Sequence, residues 1–193
     1  MTVSNLTRED ILDRAREMVP VLSRRTKQAD DLRRMPDETV EEFRKAGFYK
    51  ILQPAKYGGL ELPYGIQTEL AMALGRGCAS SAWDASITAC HAWIGGMYAQ
   101  KAQQEIWGEN QDAMISTSFR AAGGYKAQPT DDGLLLSGIW QFSSGIRHCD
   151  WVILAVDVKQ DGAERPTPFL ALVPISECSI EDNWYASGLT ATG

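Results

Sequence analysis

Apolar side chains recur at helical steps through the first part of the chain. Ile11, Ala15, Met18 and Leu22 follow Thr7, whose place before Arg8-Glu9-Asp10 resembles a capping box with Asp in the position of Glu. The spacing predicts an amphipathic first helix, with Pro20 inside it or at its end. Pro36, the acidic pair Asp37 and Glu38, then Val40, Phe43 and the stop at Ala46-Gly47 predict a short second helix. Tyr57-Gly58-Gly59-Leu60 and Pro63-Tyr64-Gly65 read as a loop, after which Ile66, Leu70, Ala73 and Leu74 give a third helix ending near Gly75. A fourth helix is expected from Ser81 to about residue 99, with Ser81 as its cap and Asp84 three residues on. A fifth runs from Gln100 to Trp107 and stops at Gly108.

Beyond Gly108 the period shortens. Residues 113–118, 125–128, 134–139, 151–158, 168–173 and 180–184 read as strands, with turns at Asp131-Asp132-Gly133 and Asp161-Gly162. The expected organisation is α+β. An all-helical N-terminal domain (residues 1–111) precedes an antiparallel β domain (residues 112–193), with the boundary near Asn110 to Asp112.

Composition narrows the class. The 193 residues are 44% hydrophobic and 23% charged, which is globular rather than disordered. Nineteen basic against twenty-five acidic side chains leave a net charge of -6, which argues against nucleic acid or an anionic membrane as the main partner. Arg24, Arg25, Lys27, Arg33 and Arg34 cluster, but Asp30 and Asp31 interrupt them, as on a solvated helix face. Cys78, Cys90, Cys149 and Cys178 form no C-x-x-C pair and no zinc spacing, so reduced thiols and no metal are expected. The first seven residues show no signal-peptide pattern, and the cytoplasm is the expected compartment.

Three polar constellations stand out. On the fourth helix, Trp83, Ile87, Cys90, Ile94 and Met97 form an apolar stripe, while Asp84, Thr88 and His91 form a polar one. Small residues on most faces of this helix allow the polar stripe to face an internal cavity; the spacing alone favours a hydrogen-bonded surface histidine. Ser116-Thr117-Ser118 ends a strand before the flexible Ala121-Ala122-Gly123-Gly124. The third is the turn Phe142-Ser143-Ser144-Gly145, set between aromatic residues and the apolar run from Trp151 to Val156. Rings, hydroxyls and a glycine that admits close backbone approach suit a flat ligand with a polar edge, such as a flavin. Each constellation also has a plain reading as a polar loop or hairpin. Dinucleotide-binding, P-loop, zinc-protease and serine-hydrolase motifs are absent, and two histidines are too few for a His-rich metal site.

Taken together, Arg76-Gly77-Cys78-Ala79-Ser80-Ser81-Ala82-Trp83, His91, Gln104-Glu105-Ile106-Trp107-Gly108, Phe142-Ser143-Ser144-Gly145, His148-Cys149-Asp150-Trp151 and Trp184-Tyr185-Ala186-Ser187-Gly188-Leu189 resemble the acyl-CoA dehydrogenase superfamily. More closely they resemble the oxygenase components of its two-component flavin-dependent aromatic hydroxylases. The resemblance implies a helical domain followed by a β-barrel, here incomplete. In that family a C-terminal four-helix bundle and a homotetramer complete the enzyme, so the chain is expected to be the front part of a longer protein or a natural truncation.

The resemblance also implies roles. Ser144 matches the hydroxyl at flavin N5, and Ser143 and Phe142 match its neighbours beside the ring. Thr117 and Ser118 match the strand end at the flavin edge. Trp83 matches an aromatic near the flavin, and His91 a histidine at the phenolic substrate, which replaces the surface reading. Thr190 and Arg147 depart from the family pattern, where an arginine and an acidic residue are common. The implied activity is hydroxylation of an aromatic or phenolic substrate by O₂ and reduced flavin, FMN or FAD, supplied by a separate NAD(P)H-dependent reductase. Two alternatives stand beside it. One is an FAD-dependent acyl-CoA dehydrogenase, although Ser116-Thr117-Ser118-Phe119 and Phe142-Ser143-Ser144 differ from that branch's usual segments. The other is a non-catalytic remnant serving as an assembly module.

Overall fold

The structure, a computed structural model, describes residues 5–131, 133–159, 162 and 164–193. Helix α1 (Arg8–Leu32) opens on both halves of a capping box: Asp10 N–H donates to the Thr7 hydroxyl, and Thr7 N–H donates to the Asp10 carboxylate at 2.8 Å. It outruns the Ile11-to-Leu22 pattern because Leu22 and Ala29, seven residues apart, both point into the core. Pro20 is carried inside it. Helix α2 (Asp37–Ala46) ends at Gly47 with φ 83°, and α3 (Ile66–Leu74) ends at Gly75.

Helix α4 (Ala79–Gly96) begins earlier than the sequence suggests. Cys78, in extended backbone, is its cap and uses no side-chain bond, because Cys78 N–H is already tied to the Leu74 carbonyl and turns the chain straight out of α3. Ser81 is therefore not the cap but a buried residue within the helix. Helix α5 (Gln100–Trp107) then ends at Gly108.

The strands are β1 (Ile115–Ser118), β2 (Arg120–Ala121), β3 (Lys126–Thr130), β4 (Gly133–Ser137), β5 (Trp140–Gln141), β6 (Trp151–Val158) and β7 (Thr167–Pro174). Strand β6 lies between β1 and β7; β2 pairs with β5, and β3 with β4. Among the described residues no sheet closes on itself: β1 and β7 are the outer strands of a three-stranded sheet, and the β2–β5 and β3–β4 ladders are not paired with it, although Trp140 Nε1 donates to the Ala155 carbonyl and Asp157 N–H to the Tyr125 hydroxyl. Nor is the pairing wholly antiparallel: β1 runs parallel to β6, with Ile115 opposite Trp151 and Ser118 opposite Leu154. The connection from 119 to 150 is long enough to return the chain to the same end of the sheet, as parallel pairing demands. Residues 180–184 form no strand, because their anchors are side-chain ones: Arg33 donates to the Trp184 carbonyl and pairs with Asp182. The turn positions expected at Asp132 and Asp161 lie outside the described residues.

Two apolar clusters hold the structure. One fills the space between α1, α2, α3 and α4, with Phe43, Phe48, Leu70 and Leu74 at its centre. The other joins α4 and α5 to the sheet through Trp107, Ile106, Ala92, Ile115 and Ile153. Gly95 makes that second contact possible: a Cβ there would lie 2.7 Å from Ile115 Cδ1 and 2.9 Å from the Trp107 ring. So α4 lies directly on β1. Among the described residues no helix is long and apolar enough to cross a membrane.

Candidate functional site

The close seating of α4 on β1 decides where each polar stripe goes. On α4 the arrangement inverts ordinary amphipathicity. Asp84, Thr88 and His91 are each only 2% exposed, whereas Trp83 is 43% and Met97 61% exposed. His91 is thus an interior residue. Its Nδ1 lies 3.0 Å from the Ile115 carbonyl, which can only accept, so Nδ1 carries the proton. Nε2 is left as the acceptor for the Thr117 hydroxyl at 2.9 Å. Burial pushes the imidazole pKa down to about 4, against the opposing pull of the Ile115 carbonyl, so the ring is neutral at neutral pH.

Strand alternation divides the Ser116-Thr117-Ser118 motif between two faces. Thr117 turns towards α4 and His91. Ser116 and Ser118 turn the other way, to the segment ending in the Ser143-Ser144 turn. Ser116 Oγ donates to the Ser144 carbonyl at 2.9 Å, which leaves Ser143 to donate its hydroxyl hydrogen to Ser116 Oγ at 2.8 Å. Ser118 Oγ donates to the Gln141 carbonyl at 2.5 Å. The sequence places Thr117 and Ser118 side by side; the structure brings Ser118 to the Gln141 carbonyl of β5, just before the turn, and Thr117 to the histidine.

The turn itself holds an unusual backbone. Phe142 adopts φ 61°, rare for a residue with a side chain, and Gly145 adopts φ 70°. The exposed Phe142 ring meets Trp184 edge-on, with centroids 6.1 Å apart, and the Arg120 guanidinium sits 5.6 Å from its centroid. Trp83 Nε1 donates to Ser144 Oγ at 3.3 Å. That bond uses one lone pair of Ser144 and leaves its O–H and second lone pair for a ligand. Phe142, Ser143, Ser144, Ser118 and Trp184 line a cleft of about 960 Å³. His91, Thr117 and Trp83 are not among its walls; they adjoin it through Ser144 and β1.

Sequence reasoning left out Tyr49, Arg120 and the contact role of Trp184. Tyr49 follows a helix stop, and its bond to Asp84 spans 35 residues, so no local spacing announces it. Arg120 follows the strand directly, and only its position over Phe142 gives it significance.

An α4 helix that carries a buried histidine and, two turns earlier, grips a hydroxyl turn on a sheet-walled cleft defines a recognisable class. Residues 6–110 match the family described as acyl-CoA dehydrogenase, N-terminal domain, and the chain belongs to that family. Among its relatives is the flavin-dependent monooxygenase oxygenase subunit HsaA of Mycobacterium tuberculosis, 37% identical over 96% of this chain and 46% of the relative. Another is the oxygenase component of the FADH(2)-dependent resorcinol hydroxylase of a Rhizobium species, 32% identical over 86% of this chain and 40% of the relative. The crystal structure of HsaA from M. tuberculosis superposes with a TM-score of 0.89 at 35% identity, covering 97% of this chain and 48% of that one. The chain spans about half the length of the curated relatives it matches.

Proposed function

We propose that this chain supplies the sheet-side half of the active site of a flavin-dependent aromatic hydroxylase. Reduced flavin, delivered by a separate NAD(P)H-dependent reductase, would lie against Phe142, Ser143, Ser144 and Ser118. Bound there, it supplies the activation of O₂ that aromatic hydroxylation requires. The residues present fit such a group: the cleft volume falls in the range of cofactor sites, the walls combine rings with hydroxyls, and Ser144 keeps a free lone pair.

Each residue then has a definable task. Ser144 Oγ would accept a hydrogen bond from the N5–H of the bound group and so keep that proton in place, while Trp83 fixes the rotamer of the hydroxyl. Phe142 and Trp184 present apolar ring surface that keeps water from the flavin plane. His91 is the base. It stands on the α4 face of β1, outside the cleft walls, so its neutral Nε2 would take the proton of a phenol only where the Thr117 hydroxyl yields that position and the substrate reaches past β1; the ring carbon would then be electron-rich. Burial that penalises a lone imidazolium also means that the proton stays on His91 only while the phenolate is beside it.

The observation that carries this reading is the Trp83–Ser144 bond, because it ties the hydroxyl turn to the helix that bears His91. The names of the relatives favour a hydroxylase over the acyl-CoA dehydrogenase chemistry of the wider family. The test supplies the protein with reduced flavin, O₂ and a simple phenol. Oxygen-dependent hydroxylated product, lost in His91→Gln, is expected. Anaerobic bleaching of oxidised flavin by an acyl-CoA would instead make it a dehydrogenase, and absence of any flavin binding would make it an assembly module.

A further inference from the structure

One wall of the cleft has no ladder to hold it. Residues 179–185 line the cleft but belong to no helix or strand. Among the described residues, no backbone group from 179 to 188 pairs with another backbone group. Such a segment takes its place from side-chain anchors. The stretch that follows is tied by its backbone: Gly145 N–H donates to the Thr192 carbonyl at 3.0 Å, and Gly193 N–H to the Arg33 carbonyl at 3.1 Å. Trp184 leans on that stretch, its Nε1 donating to the Leu189 carbonyl at 3.2 Å. That bond restrains the indole but leaves residues 182–185 without a tie to the helical body.

A single guanidinium supplies the tie. Arg33 Nη1 donates to the Trp184 carbonyl at 3.0 Å, and Nη2 pairs with Asp182 Oδ2 at 2.9 Å. The same planar group lies 4.2 Å from the centroid of the Tyr185 ring. One side chain at the end of α1 thus touches residues 182, 184 and 185, which needs a fork that can also stack on a ring. Asp182 extends the tie, since its Oδ1 lies 3.4 Å from Nη2 of Arg147, just past the Ser143-Ser144 turn. An exposed ion pair alone would count for little, but the bond to the Trp184 carbonyl does not depend on it.

We infer that Arg33 is a positioning residue for the cleft: it holds residues 182–185 so that Trp184 stands edge-on to Phe142 and walls in a flat ligand. That the ligand is a flavin rests on the reading given above; the hold of Arg33 on Trp184 does not. The role can be separated from helix capping. Arg33 is the C-cap of α1 with φ 56°, a left-handed conformation that Asn tolerates. Arg33→Asn therefore removes the guanidinium and leaves the end of α1 as it is.

The experiment compares the ¹⁵N-labelled 193-residue chain with Arg33→Asn and Arg33→Lys, following the indole N–H signals and the nuclear Overhauser contact between the Trp184 and Phe142 rings. The contact is expected in the native chain and lost in Arg33→Asn, with the Trp184 indole signal displaced and the buried Trp107 indole unmoved. Arg33→Lys, which reaches Asp182 or the Trp184 carbonyl but cannot fork between them, should keep only part of it. Reduced riboflavin, which has no phosphate and reads the ring alone, is expected to bind Arg33→Asn about 2- to 10-fold more weakly in an anaerobic titration. A ring contact of native strength in Arg33→Asn overturns the inference. Should that variant not fold, Arg33→Lys decides: a weakened contact supports the inference, and an undiminished one overturns it. Loss of the contact with unchanged riboflavin affinity, or with no riboflavin binding by either protein, upholds the role of Arg33 and removes only the flavin reading.

Discussion

Asp84 and His91 sit seven residues apart on one helix, both 2% exposed, and burial moves their protonation equilibria in opposite senses. For Asp84, raised from 3.8 to about 6, the native state holds its proton more tightly than the unfolded chain does. Its stabilising contribution is complete below 3.8 and is lost as pH rises through 6. For His91, lowered from 6.5 to about 4, the native state holds its proton less tightly, and stability falls as pH drops from 6.5 towards 4. Over the shared window the two nearly cancel, so the native chain should show a shallow stability profile there. Replacing Asp84 by Asn leaves the histidine alone, and stability should then climb by roughly 2–3 kcal/mol between pH 4 and 6.5. Urea unfolding at those two pH values checks this. A slope no steeper than that of the native chain would show that Asp84 is not held protonated in the fold.

Among the elements, the contact of α4 with β1 matters most, and Gly95 sets its distance. Gly95→Ala should cost about 1–3 kcal/mol by overpacking, and Ile115→Val, which removes the nearer clashing atom, should recover part of that in thermal or urea unfolding. Full additivity of the two losses would contradict the packing account. Helices α2, α3 and α5 were legible because Pro36, Gly47, Gly75 and Gly108 mark their ends chemically. The start of α4 was not, since it is fixed by a backbone bond from Cys78 to Leu74 rather than by a capping side chain. Periodicity assigned Trp83 and Asp84 to different stripes of α4, but it carries an angle and not a direction, so it could not tell which stripe turns inward. The parallel pairing of β1 with β6 was hidden for a similar reason, because strand orientation depends on where a 32-residue connection returns. Within the site, the family motif supplied Ser144 and His91; strand alternation, known only with the register, separated Thr117 from Ser118.

At the scale of the molecule, two kinds of surface meet at Trp83. Its indole reaches the hydroxyl turn on the cleft, while its half-exposed ring continues into the apolar stripe of α4 that includes Met97. A flat ligand resting on Ser144 is therefore bordered by apolar surface, the setting in which a single hydroxyl–ligand bond has most effect. The most direct measurement is an anaerobic titration of the chain with reduced flavin, comparing the native protein with Ser144→Ala. Saturable binding, weakened by about 5- to 30-fold when the hydroxyl is removed, is the expected result, corresponding to about 1–2 kcal/mol for one hydrogen bond. Equal affinity in the two proteins, or no binding by either, would contradict the placement of the flavin on this turn.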